Sequence, residues 1–186
     1  MTFRVNFYAD QAFLSMVKKI LKNCESYTGD YKMDHEPAEA ATAIILCTTS
    51  CEAFLNLFAR EIAIPDFPSY DRKSIVRKIE YLYSQKDLEP DWSSHPLQDI
   101  KSLVKVRNWL VHFKDSDLGL IGSEGWIDEE TKTRPEIDDQ HELKFERVRQ
   151  YYDSCREVLL AIAKIYNLEE SYQYLSDEDY MTYLVG

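Results

Sequence analysis

The stretch ATAIILCTTSCEAFLNLFAREI, residues 41–62, decides the class of fold. Ala41, Ile44, Ile45, Thr48, Cys51, Leu55, Phe58 and Ile62 recur at intervals of three and four, the period of one helical face rather than of a strand. Asp34 and Pro37 stand where a helix starts, and Pro65 and Pro68 stand where one stops. One long helix over about 36–63 is therefore predicted. Its longest apolar stretch, Ala40–Cys47, is broken by threonines and is too short to span a bilayer, so no membrane helix is expected.

Working outward, the same period appears on both sides. Residues 9–27 place Phe13, Met16, Val17, Ile20 and Leu21 on one side, with Asp10 near the start and Lys18, Lys19 and Lys22 toward the end. A third helix is predicted over about 71–85 from Ile75, Val76, Ile79, Leu82 and Tyr83. A fourth follows His95 and Pro96 and runs to about Phe113 or Lys114. The last long helix, about 143–166, repeats Phe145, Val148, Tyr152, Cys155, Leu159, Ile162 and Tyr166. Between the last two, Asp115–Glu142 contains Gly119, Gly122 and Gly125 without a sustained period and reads as a long loop. The tail Ser171–Gly186 is acidic and aromatic and reads as a weak docking helix. The expected architecture is a single all-α domain over 1–186, a bundle of four to five main helices with its core in about 7–168 and the tail in 169–186.

Composition agrees with one globular domain. The 186 residues are 45% hydrophobic, and 5 Gly and 6 Pro are too few and too scattered for a disordered or all-β chain. Met1–Asp10 lacks the basic, then apolar, then small-residue order of a secretion signal. The cysteines Cys24, Cys47, Cys51 and Cys155 form no disulfide-framework spacing, and a reducing, cytoplasmic setting is expected. The net charge of −11 is segregated: residues 124–142 contribute −6, Glu169–Asp179 contribute −5, and the remainder balances. That pattern disfavours broad binding along a duplex but leaves room for a locally basic site.

Such a site occurs on the fourth helix. Lys101, Lys105, Arg107 and Lys114 face the single acid Asp115 in this segment. On a wheel of 100° per residue with Leu103 at zero, His112 falls at about 180°, with Asn108, Lys101 and Lys105 within about 40° of it. Arg107 falls at about 40°, inside the apolar arc, where a guanidinium needs an anion. The same wheel drawn on the second helix turns Glu52 inward, so Glu52 is the expected partner of Arg107 and Asn56, one turn on, a third member. Read without function, the pair only fixes helix register and His112 lies on a solvated face. The remaining motifs are silent. No phosphate-cradling glycine loop, G-x-S-x-G elbow or H-E-x-x-H occurs, Cys47 and Cys51 read as small core residues, and no metal or other cofactor is expected. The thirteen tyrosines can stack on bases, though they more commonly build a core.

Arg107-Asn108-Trp109-Leu110-Val111-His112 resembles the R-x(4-6)-H motif of HEPN domains, and Cys51-Glu52-Ala53-Phe54-Leu55-Asn56 resembles the helix that precedes it there. Arg134 and His141 repeat the spacing, but in a charged loop without an amphipathic helix. The resemblance, over about Phe7–Leu168, implies a small helical bundle that is usually a homodimer. It also implies metal-independent endoribonuclease activity of the toxin–antitoxin or phage-defence kind, with RNA as substrate. Arg107, Asn108 and His112 would be catalytic, and Lys101, Lys105 and Lys114 would hold RNA. An antitoxin or a nucleotidyltransferase-like protein would be the partner. Other members of the family bind without cleaving. Arg107 and His112 lie about 140° apart on one helix, a separation that facing motifs across a twofold axis would resolve.

Overall fold

A computed structural model describes residues 9–111 and 139–176, and among these there is no strand. The chain is all-α: α1 (Ala9–Cys24), α2 (Gly29–Glu61), α3 (Phe67–Asp71), α4 (Ile75–Ser84), α5 (Leu97–Val111), α6 (Asp139–Glu142), α7 (Phe145–Ile165) and a 3₁₀ segment (Glu169–Leu175). The predicted loop from Asp115 lies outside the described residues as far as 138, and its last four residues form the turn of α6.

α2 is the hub, packed against α1, α3, α4, α5 and α7. Ala40, Ala43, Cys47, Ser50 and Cys51 are buried on it, small side chains that let neighbouring backbones come close, while Phe54, Leu55 and Phe58 supply bulk. Each of those three stabilises the fold by about 1.5–3 kcal/mol when fully buried. The threonines that interrupt the apolar run return their hydroxyls to the helix. Thr42, Thr48 and Thr49 donate to the carbonyls of Ala38, Ile44 and Ile45, so their polarity adds no unsatisfied group. By length and composition Gly29–Glu61 would suffice to cross a membrane, although its apolar run Ala40–Cys47 alone is too short for that; half of its most apolar window is buried inside the bundle. Its position among five other helices accounts for the buried half of that window.

α2 begins at Gly29, seven residues before the predicted start, and Pro37 lies inside it. A proline there removes one helical hydrogen bond, and tertiary contacts hold the extra turns. Tyr27 Oη and Cys24 Sγ donate to Glu39 at 2.9 and 3.0 Å. Buried Glu36 accepts from Lys144 Nζ at 3.2 Å and from the backbone N–H of Phe145 at 3.0 Å. Glu36 thereby satisfies a free N–H at the start of α7, which has no side-chain cap of its own.

The third predicted helix, about 71–85, is α4, which starts at Ile75 because Ser74 caps it by accepting from Arg77 N–H, and the short α3 precedes it. Pro68 opens α3 instead of ending α2. On α1 the inward stripe is Leu14, Val17, Leu21 and Cys24. Met16, expected inside, is 51% exposed. The apolar stripe of α7 is buried from Phe145 to Ile162 as the sequence indicates. Of the tail, 171–176 is described: Tyr174 and Leu175 are buried, and Tyr172 sets its ring 4.9 Å from that of Phe54. Cys47, Cys51 and Cys155 meet in the core, where thiol–thiol contacts and burial push the Cys155 thiol well above its ordinary range. It is held as the unreactive protonated form.

Candidate functional site

α5 starts with the backbone N–H of Gln98 and of Asp99 donating to the carbonyls of Ser94 and Pro96. Ile100, Leu103 and Val106 then face the core, and Lys101, Lys105, Asn108 and Val111 face outward. The polar, basic face read from the wheel is present for its first three members. His112 and Lys114, the remaining expected members, lie outside the described residues, as does Arg134 of the second spacing. Lys101 Nζ rests 4.9 Å from the centre of the Trp92 ring, a cation–π contact that ties the start of this face to the loop before α5.

The expected Arg107–Glu52 pair is not formed. Glu52 Oε1 accepts from Lys78 Nζ at 3.1 Å. Lys78, on α4, is 0% exposed and has its ammonium 5.9 Å from the Tyr70 ring centre. A fully buried ammonium has the stronger need for a counter-charge, and a helical wheel gives an angle about one axis without saying which neighbour occupies it. Arg107 is half-buried. Its Nη1 donates to Asn108 Oδ1 at 3.1 Å. Among the described residues no carboxylate pairs with it, and its Nε is buried without a hydrogen-bond partner. Asn56 is likewise not joined to Arg107: its Oδ1 is buried without a hydrogen-bond partner among the described residues.

The densest polar cluster of the described residues is at the other end of α5. Buried Asp99 accepts from His95 Nδ1 (2.9 Å), Arg147 Nη1 (3.0 Å), Gln150 Nε2 (3.1 and 3.2 Å) and Ser154 Oγ (2.9 Å). His95 Nε2 meets Glu157 at 3.1 Å, and Arg147 Nε donates to Glu142, which also accepts from Tyr151. Burial opposes the charge on Asp99, but the bonds from His95 and Ser154 and the Arg147 guanidinium outweigh it and hold the carboxyl below its usual range. The hydrogen bond to Asp99, aided by Glu157, raises His95. Ser154 and His95 both bind the same Asp99 oxygen rather than each other, so this is not a nucleophile–base relay. It locks α5 to α7 and thereby fixes where the basic face points. A sequence signal for it exists: Arg147, Gln150, Ser154 and Glu157 form a polar stripe at helical spacing beside the apolar stripe of α7.

Among the described residues no three His, Cys, Asp or Glu side chains gather to hold a metal ion. What α5 can offer chemically is a fixed guanidinium braced by an amide, beside two exposed ammonium groups. Comparison of the chain with protein-family models, with curated proteins and with solved structures finds no match in any of the three.

Proposed function

We propose that the chain is a HEPN-like, homodimeric, metal-independent endoribonuclease of the toxin or phage-defence type, acting in the cytoplasm. The observation that carries this reading is Arg107: a half-buried cation that no described carboxylate neutralises, braced by Asn108 on the basic face of α5. A guanidinium in that condition suits a phosphoryl group, whose oxygens match its planar fork. In the proposed reaction His112 takes the proton of a ribose 2′-hydroxyl. The 2′-oxygen attacks the adjacent phosphorus, the bond to the 5′-oxygen breaks, and that oxygen leaves as a hydroxyl after taking a proton from an imidazolium. Arg107 stabilises the charge that builds on the non-bridging oxygens, Asn108 orients Arg107, and Lys101, Lys105 and Lys114 hold the strand.

On the helical wheel Arg107 and His112 fall about 140° apart, so in this reading the twofold partner supplies the facing motif. Val111, 47% exposed one residue before His112, is an apolar side chain available to that interface. An antitoxin or a nucleotidyltransferase-like protein would restrain the activity by covering the same face.

The test is incubation of the purified chain with single-stranded and structured RNA in the presence of a chelator, with the product ends identified. Cleavage to 2′,3′-cyclic phosphate and 5′-hydroxyl ends, lost in His112→Ala, is expected. A folded His112→Ala protein that cleaves as fast as the parent, or cleavage that the chelator stops, overturns the assignment. RNA binding without turnover would place the chain among binding modules instead.

A further inference from the structure

Away from α5, the first turn of α1, the end of α2 and the 3₁₀ segment line a half-open cavity of about 300 Å³. Its walls include Asp10, Leu57, Glu61, Tyr172 and Tyr174, with the neutral Gln11 and Ser171 beside them. Among the described residues no lysine or arginine lines it. Asp10 is 3% exposed. Its backbone carbonyl is pinned by Ser50 Oγ at 2.7 Å, one carboxylate oxygen accepts from Tyr174 Oη, and the other, Oδ1, is buried without a hydrogen-bond partner among the described residues.

The hydrogen-bond inventory of the walls fixes the class of ligand. Both phenols have committed their single donor to a carboxylate, Tyr174 to Asp10 and Tyr172 to Glu61. Burial, reinforced by those carboxylates, pushes both phenols up, so they stay protonated and keep donating. What the cavity still offers at its surface is the carboxylate of Glu61 and the rings of Tyr172 and Tyr174, and directly behind that surface lies Asp10, whose unpartnered Oδ1 is shielded from solvent. Two carboxylates repel an anion. Hard divalent ions require six or more converging oxygens, and no metal-holding group is formed among the described residues. Asp10 also stands in the first turn of α1, where the helix dipole favours its charge. That accounts for an acid at this position but leaves its Oδ1 without a donor, and a buried acceptor in that state is costly.

We infer that this cavity binds an organic cation, an ammonium or guanidinium group seated against Asp10 and Glu61 with its alkyl stem along Leu57 and Tyr172. The group comes either from a free aliphatic amine or from a lysine or arginine side chain of another protein. The site contains no residue of α5, so it stands independently of the RNA-cleaving reading.

Calorimetric titration of the full chain with 1,4-diaminobutane, and separately with an end-capped Gly-Lys-Gly peptide, tests the inference and distinguishes the two sources. Saturable binding of either probe is expected, weakened about tenfold or more in Asp10→Asn, the scale of a lost charge-assisted contact. In Leu57→Lys a tethered ammonium would occupy the cavity, raising the thermal midpoint and removing diamine binding. Absence of binding by both probes up to about 10 mM overturns the proposal, as does tighter binding of magnesium or inorganic phosphate in the parent. Unchanged binding in a folded Asp10→Asn protein also overturns it. Should Asp10→Asn fail to fold, Leu57→Lys decides: a folded variant that still takes up the diamine as the parent does refutes the site.

Discussion

At the start of α5 Asp99 is buried and accepts hydrogen bonds from four side chains. About two turns later Arg107 is half-buried, bonded through Nη1 to its own neighbour Asn108 and to no carboxylate among the described residues. The two charges share a helix and differ in how they are satisfied. A buried charge that is fully bonded fixes architecture, because removing any partner leaves the others stranded in a poor solvent. A cation left short of an anion is stable only where water or a ligand completes it. The contrast separates the part of α5 that holds the helix in place from the part available for chemistry.

Breaking the first region should have the largest effect. Asp99→Ala removes one of the two carboxylates that Arg147 meets and leaves the Gln150 amide and the Ser154 hydroxyl without their acceptor, at a cost of about 2–4 kcal/mol; urea unfolding measures it, and a loss below about 1 kcal/mol would erase the contrast. Arg107→Ala tests the second region from the opposite direction. Urea stability should change by about 1 kcal/mol or less, while RNA cleavage falls about 10²–10³-fold, as on losing one charge-stabilising donor. A third substitution, Glu52→Gln, sharpens the assignment of partners. It should cost about 1–3 kcal/mol by uncovering the buried Lys78, the figure being reduced because Glu52 is itself half exposed. Lys78→Met in the same background should recover most of that loss, and recovery by an Arg107 substitution instead would restore the pair expected from the wheel.

The smallest effect is that of pH on the His95 clamp. Its folded value is raised by the hydrogen bond to Asp99 and the charge of Glu157. Its contribution is therefore complete below the ordinary histidine value of about 6.5 and fades as pH rises through the folded value. The midpoint difference between the parent and His95→Gln, in urea, should be larger at about pH 6 than at about pH 9. His95 is 54% exposed, so screening keeps the difference small. An equal difference at both values would remove charge from the clamp and leave only packing.

Much of the fold was legible. The periods of α2, α5 and α7 mark their buried faces, since a stripe of apolar side chains must find a core whatever its partners are. Local rules failed where long-range contacts outweighed them. Pro37 reads as a helix start, yet Glu36 and Glu39, held by residues of α7 and of the preceding turn, carry the helix through it. Met16 lies near the edge of its apolar arc, and only the packing of α1 on α2 shows that Leu14 takes the inner place. For the site, the outward lysines and Asn108 were legible because exposure follows from angle on a single helix. The partner of Glu52 was not, because two cations on different helices, Lys78 and Arg107, competed for one carboxylate.

The sequence by itself determined an all-α chain, the placement of its long helices, the segregation of its acidity and the outward basic face of α5. These follow from periodicity, composition and the sign of charge, which are properties of short segments. Tertiary structure alone decided that Lys78 rather than Arg107 neutralises Glu52, that Asp99 gathers side chains from α7 and from the turn before α5, and that Asp10 meets Tyr174 across 164 positions. Those pairings depend on which helix faces arrive at one point in space, and a buried charge takes whichever counter-group the packing delivers within hydrogen-bond reach.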